Sequence, residues 1–261
     1  MNKLKTLTIA TVLSLLAAQG AVAEEKKEEK LIPGDLTFTA TLANDYRFRG
    51  ISQTDRTIAA QVGIDYNYMF KPEIGVYVGV WGSNVNFNDG DEATIETDVY
   101  GGIKGTVWEK LSYQFGFIEY LYPRAKVGGS HYNYFELGAK LTYDFDILAL
   151  TGGINWSPDY FYGTGTAWWP YAEISVPIAF VKLPFELSLN GHIGHQSIQN
   201  NSRFGAPDYW EWTVGLAAKL EGFTLSVSYV DTSISKNKCF PGSGLQSTCG
   251  AGVLASISKT F

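Results

Sequence analysis

From Leu36 onward, apolar residues recur at every second position in successive runs separated by connections. Leu36, Phe38, Ala40 and Leu42 alternate with Thr37, Thr39 and Thr41. Ile58, Ala60, Val62, Ile64, Tyr66 and Tyr68 alternate with Gln61, Asp65 and Asn67. Ile74 to Val80 and Ile95 to Ile103 follow, the latter opposite Glu96, Asp98 and Lys104. The same rhythm marks Leu111–Phe117, Phe135–Tyr143, Ala172–Ile178, Phe185–Ile193, Trp210–Leu220, Phe223–Tyr229 and Val253–Phe261. Residues 147–156 are apolar almost throughout, so their phase is unreadable. Period two places one face of a strand against an apolar medium and the other against water. Counting 147–156, the pattern predicts twelve strands.

The connections alternate in length. Short ones fall near 70–73, 105–110, 144–146, 180–183 and 221–222. Longer ones fall near 44–57, 84–93, 123–132, 157–167, 195–208 and 232–251. A sandwich has no reason to keep this order. An outer-membrane barrel does, with short turns at one rim and long loops at the other. The predicted fold is therefore all-β, a transmembrane antiparallel up-and-down barrel of about twelve strands over residues 35–261, each crossing with about 9–11 residues.

Composition supports this. Mean hydropathy is −0.05, as in many soluble proteins, yet the chain carries 16 Tyr, 15 Phe and 7 Trp. The aromatics gather at strand ends: Tyr66, Tyr68 and Phe70; Tyr143 and Phe145; Trp168 and Trp169; Trp210 and Trp212; Phe223 and Tyr229. Girdles at two interfaces would produce that placement. The chain ends on Phe261, which resembles the C-terminal recognition signal of bacterial outer-membrane proteins, although Lys259 stands where an apolar residue is expected. That likeness implies the barrel assembly machinery as a partner, beside outer-membrane lipid and lipopolysaccharide.

Residues 1–23 read as a signal peptide: basic Lys3 and Lys5, an apolar run from Leu7 to Ala18, and the small-x-small site Ala21-Val22-Ala23. Residues 24–34 read as a charged periplasmic leader ending at Pro33-Gly34. Cleavage after Ala23 takes the formal charge from −6 to −8, because it removes Lys3 and Lys5. That balance argues against nucleic-acid binding. Export to a Gram-negative outer membrane makes a disulfide between Cys239 and Cys249 the expected state. It would pin the last long loop.

No phosphate loop, metalloprotease or calcium-loop motif occurs, and no cofactor or metal is expected. His192-x-x-His195 could suggest a metal pair, but residues three apart on a strand face opposite sides. Ser130-His131 and His195-x-Ser197 lie near loops without a third catalytic partner, so no enzymatic activity is expected.

The segment Asn44-Asp45-Tyr46-Arg47-Phe48-Arg49-Gly50-Ile51-Ser52-Gln53-Thr54-Asp55 resembles the signature of the TorF family of porins, proteobacterial outer-membrane proteins. The resemblance implies a β-barrel and a pore for small polar solutes; it implies no particular substrate.

Strand phase assigns the lumenal charges. Extending the first strand points Asp45, Arg47 and Arg49 inward, near the long-loop mouth. Arg47 and Arg49 could form a charged constriction, or could brace the wall against acids such as Glu96, Asp98 or Glu119. The wall charges assigned inward are Asp65, Glu96, Asp98, Glu136, Glu173, Glu186 and Glu211 against Lys104, Lys140 and Lys219. An acidic excess predicts a modest preference for cations. A lumen filled by side chains is the alternative, since twelve strands enclose a bore between the filled and the wide cases.

Overall fold

The computed structural model describes residues 33–88, 93–123, 125, 132–179 and 183–261. The expected signal peptide and all but the last two residues of the leader lie outside the described residues. Twelve long strands follow: β1 (Asp35–Ala43), β2 (Ala59–Lys71), β3 (Ile74–Asn84), β4 (Ile95–Trp108), β5 (Leu111–Leu121) and β6 (Tyr134–Asp144); then β7 (Ala149–Ser157), β8 (Ala167–Pro177), β9 (Glu186–Ile198), β10 (Tyr209–Leu220), β11 (Phe223–Thr232) and β12 (Gly252–Thr260). Each pairs antiparallel with its neighbours in sequence, and β1 pairs with β12 to close the barrel.

The alternation dictates which way each side chain points. Leu36, Phe38 and Leu42 are exposed on the outside of β1, while Thr39 and Thr41 face in and bond to Thr260 and Ser258 of β12. Val62, Ile64, Val78, Val80, Phe115, Phe117, Val214, Leu216, Leu225 and Val227 continue the outer apolar surface. A soluble monomer rarely exposes a contiguous apolar patch beyond a few hundred Å². The register Thr142↔Thr151 settles the phase of β7: the two hydroxyls bond at 2.8 Å inside, and Leu150 and Ile154 face out.

Outward aromatics form two levels. Tyr66, Tyr68, Phe70, Tyr143, Phe145 and Phe223 lie toward the short-turn rim, and Trp156, Trp168, Trp210, Trp212 and Tyr229 toward the long-loop rim. Two placements differ from expectation. Trp169 faces the lumen, in phase with Glu173, and donates to Glu211 at 3.2 Å. Glu119 faces out, because it pairs across from Val99 while its neighbour Tyr120 is the buried, inward residue.

Two connections are shorter than the sequence implied. β4 runs to Trp108, leaving Glu109-Lys110 as the turn, and β9 continues to Ile198. The two-residue turn Glu221-Gly222 has φ of 49° and 77°. Positive φ at both central residues is the type I′ condition, which matches strand twist and favours glycine second.

The packed core is displaced from the barrel's middle to its long-loop mouth. Tyr120, Tyr122, Tyr132, Tyr134, Tyr160 and Ile198 cluster there with Phe48, Phe87, Phe161 and Phe204. A second cluster joins Ile51, Ala206, Tyr209 and Ile234 to Cys239 and Cys249.

Candidate functional site, a hairpin inside the barrel mouth

β1 stops at Ala43 because Asn44 leaves the wall. The Asn44 amide donates to the Val253 carbonyl, and its oxygen accepts from the Ala255 N–H. The side chain thus takes hydrogen bonds along β12 that a longer β1 would have made, and the backbone turns inward. It then forms a small hairpin with Arg47↔Ser52 and Phe48↔Ile51 as its paired residues. Its turn is Arg49-Gly50, with φ of 46° and 80°. Gly50 is required for a second reason: a Cβ there would lie 2.5 Å from Thr232 Cγ2 and 2.9 Å from Glu211 Cβ.

The hairpin reaches across the bore. Tyr46 donates to Glu96 of β4 at 2.9 Å and packs edge-on against Trp81 of β3. Phe48 meets Tyr120 of β5 edge-on at 5.6 Å. Arg49 extends farthest: Nη2 lies 2.6 Å from Glu136 of β6, and Nη1 donates to Gln196 of β9 at 2.6 Å. Its guanidinium also stands 4.3 Å from the Trp169 ring and 4.6 Å from the Phe48 ring. In a ring of twelve, β6 to β9 lie opposite the β1–β2 edge from which the segment enters.

Arg47 anchors the hairpin's base. Nε pairs with Asp45 at 2.6 Å, and Nη1 donates to the carbonyls of Gly50, Thr248 and Gly250 at 2.9–3.0 Å. Asp45 also accepts from Ser52 and Thr54. Both arginines are thus held from inside the mouth by partners other than Glu96, Asp98 or Glu119, although Arg49 Nε is buried with no hydrogen-bond partner among the described residues. Burial pulls the Arg47 guanidinium below its ordinary pKa, although Asp45 opposes it. Burial acts on Arg49 in the same sense and is the largest single influence, but Glu136 together with Tyr160, Tyr120 and Tyr134 outweighs it and holds the pKa well above the ordinary value.

The remaining predicted wall residues separate into two levels. Glu96, Asp98, Glu136 and Glu211 are buried around the hairpin. Asp98 Oδ1 and Glu96 Oε2 are buried with no hydrogen-bond partner among the described residues. Farther down lie Lys104, bonded to Asn67, and Lys140 and Glu173. His192 connects the levels, with Nε2 at 2.6 Å from Glu211 and Nδ1 at 3.5 Å from Glu173. His195 is on the outer face against Trp210, so the two histidines diverge. Ser130 and His131 lie outside the described residues. Sequence reasoning missed Gln196, Trp169 and Tyr46 as partners; continuing the phases of His192 and Glu173 would have turned Gln196 and Trp169 inward.

Below the hairpin the lumen holds cavities with charged and polar side chains in their lining. One of about 260 Å³ lies against Arg49, Trp169, His192 and Glu211. It shares Asn155 with a cavity of about 300 Å³ lined by Tyr77, Gln114 and Lys140. It shares His192 and Thr213 with one of about 220 Å³ lined by Glu173, Asn190 and Ser228.

The last long loop clamps the hairpin from above. Cys239 and Cys249 are joined by a disulfide, as expected. Beside it, the Thr248 carbonyl accepts from Ser52 N–H and the Gly250 carbonyl from Arg56. Closing so short a loop contributes about 2–3 kcal/mol. The Cys239→Ser/Cys249→Ser variant is expected to lose its heat-modifiable gel mobility several degrees below the parent. An unchanged midpoint would remove the clamp from the account.

A family model described as a bacterial protein of unknown function, Gcw_chp, matches residues 27–261. No curated protein matches the sequence. Among solved structures, the KdgM porin superimposes with a TM-score of 0.51 at 9% identity, covering 87% of this chain and 98% of its own. The same porin in complex with disordered oligogalacturonate gives 0.52, at 9% identity and the same coverage. An outer-membrane channel from Pseudomonas putida F1 gives 0.51 at 8% identity, covering 92% and 100%. These likenesses are of fold.

Proposed function

The chain belongs to the Gcw_chp family of bacterial proteins of unknown function, and from that premise we propose that it is an outer-membrane channel for small polar solutes, narrowed at its outer mouth by the hairpin after β1. The observation that carries this is the set of neighbouring cavities, sharing lining residues and carrying charged and polar side chains, inside an apolar-faced, closed barrel. A wall that only supported a surface would be served better by a filled interior. The porin and channel folds it resembles support the same reading, as does the TorF-like signature, whose residues build the constriction. In this reading residues 1–23 are removed on export, residues 24–34 stay in the periplasm as a leader, the long loops face outward among lipopolysaccharide, and Phe261 is read by the assembly machinery.

Glu96, Asp98, Glu136, Glu211 and the hairpin's own Asp45, Arg47 and Arg49 shape the constriction. Lys104, Lys140 and Glu173 line the wider part below. The acidic surplus is concentrated at the narrow level, where Asp98 has no paired cation among the described residues. Charged rings at a narrow level set selectivity, so the preference is for cations, and modest. In planar bilayers under a KCl gradient, the reversal potential is expected to favour potassium. Anion selectivity would overturn the assignment. Liposome swelling with small sugars and amino acids tests the channel itself.

The hairpin and the aromatic core of the mouth favour one second reading, a closed barrel with a structural or surface role. Absence of both swelling and conductance would select it.

A further inference from the structure

Above the hairpin, opposite the lumenal cavities, the mouth holds a separate cavity of about 210 Å³. Ten of its eighteen lining residues are aromatic, and none is Asp or Glu. The rings already meet in herringbone fashion, Phe87 against Phe161 at 5.6 Å and Phe204 against Phe240 at 5.8 Å. Offset and edge-to-face packing of this kind accepts a further ring readily.

The polar groups of the lining are mostly spent within the protein. Ser52 Oγ donates to Asp45, Gln53 Nε2 to the Ile51 carbonyl, Ser243 Oγ to the Phe240 carbonyl, and Thr248 Oγ1 to the Leu245 carbonyl. A sugar, with a hydroxyl on nearly every carbon, would find few partners. Arg203 is the exception. It is the one charged residue among those lining the cavity, it is exposed at the rim, and no described residue pairs with its guanidinium. A short turn of helix, Asn201–Phe204, sets it there: Asn200 Oδ1 caps the Arg203 N–H at 3.1 Å, and Gly205 ends the turn at φ 88°. A guanidinium fork matches a carboxylate in two parallel hydrogen bonds.

We propose that this cavity is a binding site for a small aromatic carboxylate, its ring among the mouth aromatics and its carboxylate on Arg203. The volume is below the roughly 300–1,000 Å³ of drug-sized sites, so the fit is to a molecule of one or two rings. The assignment rests on the mouth alone and holds whether or not the lumen conducts.

The test is isothermal titration of the barrel in lipid nanodiscs with 2-naphthoate and, as the uncharged counterpart, 2-naphthol, against empty nanodiscs. Saturable 2-naphthoate binding above the empty discs is expected. Arg203→Gln is expected to weaken it at least tenfold and to leave 2-naphthol binding within twofold. Asn86→Trp, which sets a ring in the mouth at an exposed position, is expected to abolish both. Each variant is checked for heat-modifiable mobility, so that loss of binding is read only on folded barrel. No saturable binding by the parent, or a parent-like affinity in Arg203→Gln, would overturn the proposal.

Discussion

Arg49→Ala is expected to cost about 3–5 kcal/mol of stability, the usual penalty for removing one partner of a buried ion pair. The magnitude follows from what remains. Glu136 is 1% exposed, and among the described residues its Oε2 would keep only Asn155 at 2.9 Å and Tyr120 at 3.4 Å as donors. An uncompensated carboxylate in that setting must take up a proton or draw in water. The hairpin would also lose its farthest attachment, together with the stacking on Trp169 and the bond to Gln196. The variant should unfold at a clearly lower temperature in heat-modifiability gels and show larger, noisier single-channel currents. Arg49→Lys keeps the charge but not the fork, and should fall between. If Arg49→Ala leaves both readouts at parent values, the pair neither holds the hairpin nor limits the bore.

Exchanging residues 45–54 for a Gly/Ser segment of equal length is expected to change conduction most. The twelve strands do not depend on the segment for their register: β1 pairs with β2 over nine residues and with β12 over five, all before Asn44. The barrel should therefore still form, with its mouth emptied. Conductance should rise several-fold and the size limit for swelling should move to larger solutes. The buried acids Glu96, Glu136 and Glu211 would then face water, so cation preference should increase rather than vanish. Parent-like conductance would show that the hairpin is not the narrowest point.

The wall of this barrel was legible in the sequence because each strand obeys one rule, apolar out and polar in. The interior mouth was not, because it breaks that rule at a single residue. Extending the phase of Leu42 through Asn44 to Phe48 kept the segment in the wall, whereas Asn44 copies a strand's hydrogen bonds with its side chain and releases the backbone. The hint available was Arg49-Gly50, a residue–glycine pair between Tyr46-Arg47-Phe48 and Ile51-Ser52, which reads as a tight hairpin turn. Asp45, Arg47 and Arg49 point inward in both descriptions, for different reasons. Trp169 was misplaced by grouping it with Trp168, although its phase is that of Glu173. The partner of Arg49 could not be read at all, since Glu136 is distant in sequence and only barrel closure brings it near.

The seam between β1 and β12 is short, and the hairpin stands beside it. The segment leaves β1 directly, and Arg47 grips the carbonyls of Thr248 and Gly250, just before β12 begins. The two strands that must meet last are therefore also joined through the object inside the barrel. This couples the order of assembly to the content of the lumen. A sheet that curled shut before the hairpin was seated would have to reopen its seam to admit it, so loading and closure belong to one kinetic step. Weakening Arg47 should then slow maturation of the barrel more than it lowers the stability of the finished one.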